Sequence, residues 1–205
     1  MSTSLLLLKK IQALCEHGQH YAHNEFDLHR YKEIELIVFE LIRINFHSKH
    51  EKIPLLMTEK EGYKTPKVDI RAVVFDNNRK ILMVKEKIDG KWSLPGGWAD
   101  IGNTPTEVAV KETREEAGIE VKAGRLIAVL DKREHKHPED LYYIYKIFIE
   151  CTYVGPAETD FLETDDVGYF GQDELPPLST PRNTVEQISM MFDFHAKKPG
   201  FPVID

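Results

Sequence analysis

Cysteine is scarce in this chain, which holds only Cys15 and Cys151 among its 205 residues. The two lie far apart, and neither has a second ligand at the spacing of a metal site. This argues against a disulfide framework and against a cysteine-rich zinc module. We expect a protein of a reducing compartment, with the cytosol as its default location.

Long hydrophobic runs are also missing. The apolar run from Leu5 to Leu8 stops at Lys9 and Lys10, so we expect neither a signal-peptide core nor a membrane span there. Positive charge is not in excess, since 27 basic and 34 acidic residues leave a net charge of −7. That balance argues against nonspecific nucleic-acid binding. A nucleotide substrate remains compatible with this charge, because a metal ion can supply the positive charge that its phosphates require.

Residues 1–66 are expected to form a helical domain that ends in a charged linker from Glu51 to Lys64. A break at His17-Gly18 separates a first helix from a second one, which Asp27 caps and which runs from about Leu28 to Phe46. The second helix is apolar on more than one side, so two helices alone cannot bury all of that surface. We favour a homodimer through these helices over packing within one chain.

Residues 67–205 are predicted to form a second domain of mixed strands and helices. The expected strands start at Lys67 and then cover Ile81–Glu86, Lys91–Leu94, Val121–Asp131 and Leu141–Tyr153. Asn77-Asn78 are expected to form a tight hairpin turn after the first strand. A last helix from about Asn183 to Ala196 precedes a coil tail. Its expected buried residues are Val185, Ile188, Met191 and Phe192. On the long strand, Tyr145, Ile147 and Ile149 are expected on one face. The pattern alone indicates an α+β or α/β fold.

The chemistry is concentrated between Leu94 and Ile119, where a short helix is well signalled at both ends. Thr104 can cap it, Pro105 fits its first position, and Glu107 completes a capping box. Gly118 is placed to end it in a left-handed residue. The core-facing stripe is predicted to consist of Thr106, Val110, Thr113 and Ala117.

Three carboxylates, Glu112, Glu115 and Glu116, lie at i, i+3 and i+4 and share another face of this helix. Like charges at this spacing repel, and a divalent cation such as Mg²⁺ offsets the repulsion directly. Pro95-Gly96-Gly97 precede the helix, and paired glycines let the backbone approach a ligand closely. The alternative interpretation is a solvated acidic helix face.

This stretch resembles the Nudix box, in which a Gly is followed after five residues by Glu. After seven more residues comes Arg-Glu-apolar-x-Glu-Glu-x-Gly-apolar. The matching residues are Gly97, Glu112, Glu115, Glu116, Gly118 and Ile119. Asn103 stands where the first Glu is usual, Lys111 replaces the Arg, and Thr113 replaces an aliphatic residue. Lys111 keeps the charge but lacks the planar fork that holds a carboxylate bidentately.

The resemblance implies an α/β/α sandwich with a mixed sheet over residues 67 to about 200, and a metal-dependent hydrolase of nucleoside diphosphates linked to a group X. It implies that Glu112, Glu115 and Glu116 hold Mg²⁺ or Mn²⁺, with the Gly96 carbonyl as a further ligand. Glu115 and Glu116 are thereby also expected to be catalytic. Many relatives draw a general base from a late loop, for which we choose Glu163, with Glu158 second. A solvent-exposed charge is the alternative for either residue.

The N-terminal extension and the segments around the box resemble a bacterial subgroup that includes CDP-choline and ADP-ribose pyrophosphatases. CDP-choline, cleaved to CMP and phosphocholine, is the first candidate substrate, and ADP-ribose is the second. RNA end processing and a non-catalytic nucleotide-binding regulator are two further candidate functions. Candidate substrate-binding residues are Trp98, Arg133, His135, His137, Tyr21 and Phe26. Trp98 could stack on a base or cover a quaternary ammonium, or else only anchor its loop.

Overall fold

The computed structural model describes residues 3–45, 65–138, 144–196 and 201–205. The expected linker, Glu51 to Lys64, lies outside these ranges. The chain separates into two units, one of Met1–Thr65 with Asp100–Gly102 and one of Pro66–Ala99 with Asn103–Asp205. No helix in the described ranges has the length and apolar content needed to cross a bilayer.

The N-terminal unit contains two helices, α1 (Thr3–Tyr21) and α2 (Glu25–Asn45). The expected break at His17-Gly18 is wrong, because α1 continues through Gly18. A Cβ there would lie 2.4 Å from the ring of Tyr31, so this glycine lets the Tyr31 side chain of α2 approach α1 closely. The predicted cap is also wrong. Asn24 precedes α2, and its Oδ1 accepts the Asp27 backbone N–H at 2.8 Å.

In chain order, the second unit contains β1 (Lys67–Val74), β2 (Ile81–Glu86), β3 (Trp92–Ser93), α3 (Pro105–Ala117), β4 (Ile119–Asp131), β5 (Ile144–Pro156), β6 (Thr164–Phe170), α4 (Val185–Ala196) and β7 (Val203–Ile204). One sheet has the order β1-β5-β4-β7, and a second has the order β3-β2-β6. The first sheet is mixed, because β1 runs parallel to β5 and β4 antiparallel to it.

Apolar residues cover both faces of the first sheet. On one face, Ile70 and Ala72 of β1 join a core with Val108 and Ala109 of α3. On the other face, Phe148 of β5 joins a second core that includes Ile188, Met191 and Phe194 of α4. Helices therefore pack on both sides of strands, which confirms the predicted α/β fold with a mixed sheet and an N-terminal helical domain.

Two local predictions need correction in part. Asn77-Asn78 do lie in a tight turn, since the Arg79 N–H donates to the Asp76 carbonyl at 3.1 Å and Phe75 pairs antiparallel with Ile81, but neither asparagine has a positive φ. The positive φ falls on Arg79 instead, while the Asp76 carboxylate accepts the N–H groups of Asn78 and Lys80. The predicted tail forms β7, which pairs parallel to β4 through Val203 and Ile204.

The predicted face of β5 is confirmed for Ile147 and Ile149, which pack in the core on the α3 side, while Tyr145 is 43% exposed. Ile144, Lys146 and Phe148 of the same strand are buried as well, because the sheet is covered on both sides. The residues before Ile144 that we assigned to this strand lie outside the described ranges. The predicted buried side of α4 needs correction. On α4, Val185 is exposed at the first turn, and Phe194 joins the buried side.

The ends of α3 are as predicted. Thr104 accepts the Glu107 N–H, Glu107 accepts the Thr104 N–H at 2.7 Å, and Gly118 is left-handed at φ 64°. The buried face differs, since Thr106 is exposed while Val108 and Ala109 are buried. Local signals thus set the ends of α3, and tertiary packing sets its rotation.

We predict that Thr104→Ala lowers the free energy of unfolding by about 1 kcal/mol, because the first turn loses a capping acceptor. Thr104→Ser keeps the hydroxyl and should therefore lose much less free energy of unfolding. Chemical denaturation of both variants measures the difference. Equal losses in Ala and Ser variants would show that the cap does not stabilise this helix.

Candidate active site

The backbone from Leu94 to Ala99 runs along β1. The Ile70 N–H donates to the Gly97 carbonyl at 2.8 Å, and the Ala72 N–H donates to the Pro95 carbonyl at 2.9 Å. Gly96 has φ 146°, and a Cβ there would lie 2.0 Å from the Ile70 carbonyl oxygen. Only glycine fits such an approach. Carbonyls alternate in direction along an extended chain, so the Gly96 carbonyl points away from β1.

Glu116 is the carboxylate that contacts this loop directly. Its Oε2 accepts the Gly96 N–H at 2.8 Å, and the residue is only 6% exposed. Burial, helped by the nearby acids Glu86 and Glu112, raises the pKa of Glu116 to about 8. Arg71 and the Gly96 N–H lower this pKa, but not enough to cancel the effect of burial.

Glu112 and Glu115 are less enclosed than Glu116. A Cβ on Gly97 would lie 3.2 Å from Glu112 Oε2, so this carboxylate lies against the glycine backbone. Burial raises the pKa of Glu112, although Lys111 opposes the shift. Lys111 Nζ lies 3.2 Å from Glu112 and 3.7 Å from Glu115, whose side chain is 58% exposed. The three carboxylates that we predicted to share a helix face are therefore graded from buried to exposed.

The carboxylate and carbonyl oxygens at this site are of the type that binds a hard divalent cation. Two enclosed carboxylates, Glu112 and Glu116, flank a glycine backbone, and burial raises the pKa of both because the nearby positive charges do not offset it. Carboxylate and carbonyl oxygens are the ligands Mg²⁺ prefers. No three His, Cys, Asp or Glu side chains of the described ranges already converge as a cage. Glu115 lies outside the pair, beside Lys111.

The acidic segment after β5 contacts the C-terminal end of α3. Thr159 Oγ1 donates to the Glu115 carbonyl at 2.6 Å, and Thr164 Oγ1 donates to the Glu116 carbonyl at 2.8 Å. Glu163, our predicted base, precedes Thr164 and is exposed. Glu158 lines a cleft of about 720 Å³ beside α3 together with Glu115. The segment is thereby placed at the helix that carries the carboxylates.

The predicted substrate-binding side chains lie on several different elements. Trp98 is 40% exposed, and its backbone pairs with Asp69 of β1 in an isolated antiparallel β-bridge. Lys67 Nζ lies 5.5 Å from the centre of its ring. Among the others, Arg133 pairs with Asp131, His135 with Asp205, and His137 with the Thr180 carbonyl. Tyr21 and Phe26 are exposed on the N-terminal unit. All six roles stay predictions.

A buried charge network behind the Gly96 loop escaped our sequence reasoning. Asp69 is 5% exposed and accepts hydrogen bonds from Arg71, at 3.0 Å from Nε, and from Lys146 of β5. Burial alone would raise the pKa of Asp69, but Arg71 and Lys146 bring it below its ordinary value. Arg71 Nη1 also donates to the Leu94 carbonyl at 3.0 Å.

A second ion pair lies nearby, in which the buried Glu86 accepts from Arg182 at 2.7 Å and from Ser93 Oγ at 2.5 Å. The signal for the Asp69 network was charge inside strand patterns: Asp69 and Arg71 alternate with apolar residues, and Lys146 interrupts an aromatic strand. Buried charges are costly unless paired, so such interruptions predict ion pairs.

Comparisons with known proteins match this chain over nearly its whole length. A model described as the NUDIX domain matches residues 65–190, and one described as a UDP-X-like, N-terminal oligomerisation domain matches residues 3–56. A Bacillus subtilis (strain 168) protein, YjhB, whose name gives a provisional assignment as an ADP-ribose pyrophosphatase, is 43% identical. That match covers 91% of this chain and 89% of YjhB.

Two solved structures are similar as well. An ADP-ribose pyrophosphatase from Streptococcus suis 89-1591 is 40% identical with a TM-score of 0.62, over 69% of this chain and 100% of that one. A UDP-X diphosphatase is 29% identical with a TM-score of 0.65, over 100% of both chains.

We predict that Asp69→Ala lowers the free energy of unfolding by about 3–5 kcal/mol, because it leaves two buried cations without their shared carboxylate. Lys146→Met is the matched control, since Asp69 keeps Arg71 and one buried charge disappears. The Lys146→Met variant should lose clearly less free energy of unfolding. Denaturant unfolding of both variants measures the losses, and an Asp69→Ala loss no larger than that of Lys146→Met would contradict this account.

Proposed function

The chain belongs to the Nudix family of pyrophosphohydrolases, and from that membership we propose that it is a metal-dependent enzyme acting on a nucleoside diphosphate linked to a group X. The observation that carries the proposal is the hydrogen bond between Glu116 Oε2 and the Gly96 N–H, 2.8 Å long. It joins the carboxylate-bearing helix α3 to the glycine backbone, as a site for a cation and a pyrophosphate requires.

In the proposed reaction, water attacks one phosphorus and the P–O anhydride bond breaks, which yields a nucleoside monophosphate and the phosphate ester of X. Glu112, Glu115 and Glu116 would hold Mg²⁺ or Mn²⁺, with the Gly96 carbonyl as a further ligand. When bound, the cation supplies the positive charge that offsets the pyrophosphate. Glu115 must leave Lys111 to join the other two carboxylates, and its exposed side chain leaves it free to turn.

Glu163 is the proposed general base that takes the proton from the attacking water, and Glu158 is the second candidate. Support for Glu163 comes from its position next to Thr164, whose hydroxyl is bonded to the Glu116 carbonyl. Support for Glu158 comes from the cleft that it shares with Glu115. Trp98 remains the proposed contact for a base or a cationic group of the substrate.

ADP-ribose now precedes CDP-choline as the first candidate substrate. The relatives described above are named for ADP-ribose or for UDP-X, and none of them for CDP-choline. A screen of ADP-ribose, UDP-sugars, CDP-choline, dinucleoside polyphosphates and 5′-triphosphate RNA with Mg²⁺ or Mn²⁺ tests the proposal. Expected products from ADP-ribose are AMP and ribose 5-phosphate. Tight binding of these compounds without turnover would instead support a regulatory binding module, which Asn103 and Lys111 permit.

We predict that Glu116→Gln lowers kcat by at least about a hundredfold without unfolding the protein. Gln keeps an oxygen that can accept the Gly96 N–H but lacks the charge that a cation needs. Kinetics with circular dichroism measure both properties. Glu174→Gln, which changes an exposed acid paired with Lys80, is the control. An unchanged kcat in Glu116→Gln would show that this carboxylate does not hold a catalytic cation.

We also propose a homodimer formed through α1 and α2, with the domain boundary near residue 66. Support comes from the oligomerisation-domain match and from apolar side chains exposed on these helices: Leu14, Phe26, Leu36, Ile37 and Ile44. Monomeric proteins rarely leave large apolar patches in water, so several large apolar side chains exposed on two helices favour a partner. Among the described residues of this unit, a buried cluster centres on Val38 and Ile42.

Light scattering should therefore give twice the monomer mass for the wild type and the monomer mass for a Leu36→Glu, Ile37→Glu double variant. Lys32→Glu, which changes charge at an exposed position of α2, should remain dimeric. A wild type that is monomeric at micromolar concentration would refute the homodimer.

A further inference from the structure

The peptide of Leu94 is held from both sides by buried side chains that lie far away in the sequence. Its N–H donates to Asn183 Oδ1 at 2.8 Å, and its carbonyl accepts from Arg71 Nη1 at 3.0 Å. The Leu94 side chain is itself fully buried in the core on the α4 side. Leu94 is therefore the fixed end of the loop that reaches Gly96.

Asn183 is positioned well for this task. It is fully buried, and its own N–H donates to the Ser179 carbonyl at 2.9 Å. The segment before it is bonded to β3, since the Trp92 N–H donates to the Pro177 carbonyl at 3.0 Å and the Ser179 N–H donates to the Trp92 carbonyl at 2.8 Å. The Asn183 amide thus extends a backbone interaction that already ties this segment to the strand leading into the loop.

The Asn183 side chain is retained despite a cost. Its Nδ2 is buried and has no hydrogen-bond partner within the described part of the chain. Gln187 Nε2 is likewise buried without a partner there, so an unpaired amide nitrogen, which typically costs about 1–3 kcal/mol, does not by itself mark a functional residue. The bond from Oδ1 to the Leu94 N–H is the contact that distinguishes Asn183.

Only Pro95 separates Leu94 from Gly96, whose N–H holds the Glu116 carboxylate. The proline ring fixes the φ angle of this single intervening residue, so the Leu94 backbone sets the direction in which the chain enters Gly96. We propose that Asn183 is a positioning residue for hydrolysis. It sets the Leu94 backbone so that Gly96 and Glu116 meet in the arrangement that holds the cation. This inference rests on the proposed function for its metal-binding and kinetic parts, whereas the protection of the Gly96 amide does not depend on it.

The test compares Asn183→Leu with Gln187→Leu. Gln187 is equally buried, lies four residues further along the chain and bonds to Thr184 rather than to Leu94. Both variants replace a buried amide by Leu. Hydrogen exchange of the Gly96 amide, Mn²⁺ affinity by electron paramagnetic resonance, and kcat and KM are measured for each. Asn183→Ala repeats the test if the Leu variant does not fold.

Asn183→Leu should expose the Gly96 amide to exchange, weaken Mn²⁺ binding by about ten- to a hundredfold and lower kcat similarly, with KM little changed. Gln187→Leu should lower stability while leaving these three quantities near wild type. Asn183→Asp keeps an oxygen at the Oδ1 position and should restore Gly96 protection.

Unchanged Gly96 protection and Mn²⁺ affinity in Asn183→Leu would overturn the proposal. Failure of Asn183→Asp to restore protection would overturn it as well, because an acceptor oxygen facing the Leu94 N–H would then not be what positions the loop. If the wild type hydrolyses none of the candidate substrates, the proposed function fails, yet exchange of the Gly96 amide still decides whether Asn183 positions the loop.

Discussion

The hydrogen bond from the Gly96 N–H to the Glu116 carboxylate is the interaction on which the candidate site depends. It links a loop bonded to β1 with the helix α3, and it fixes one carboxylate where the backbone comes closest. Gly96 makes the bond possible, since any side chain there would collide with the Ile70 carbonyl. The other parts of the site, Glu112 on one side and Leu94 on the other, are arranged around this contact.

Charge explains why this arrangement needs a cation. Three buried acids, Asp69, Glu86 and Glu116, face the cations Arg71, Lys146 and Arg182. Asp69 takes up Lys146 and shares Arg71, and Glu86 takes up Arg182. Burial raises the pKa of Glu116 to about 8, because the backbone N–H and the more distant Arg71 that remain to it do not offset the burial. A divalent ion would supply the positive charge that Glu116 lacks. Because Lys146 and Arg182 are paired with the other two acids, the position beside Glu116 is left for the ion.

Sequence reasoning succeeded where local chemistry decides and failed where distant strands meet. The caps Thr104 and Gly118 were predictable, because capping depends on residues within one turn. The Asp69–Lys146 pair was not, since it requires knowing that β1 lies beside β5 across 77 positions. The Asn183–Leu94 bond spans 89 positions and gives no local signal. Unequal burial of the three carboxylates follows from the loop that docks on α3, which helix periodicity alone cannot foresee.

The most direct test of the central claim is a crystal structure with Mn²⁺ and a non-hydrolysable nucleoside diphosphate analogue, using anomalous scattering to locate the ion. We expect an anomalous peak between the Glu112 and Glu116 carboxylates, beside the Gly96 carbonyl, with analogue phosphate oxygens on its other side. A saturated crystal with its Mn²⁺ elsewhere, and with Glu112 and Glu115 still paired to Lys111, would contradict the account.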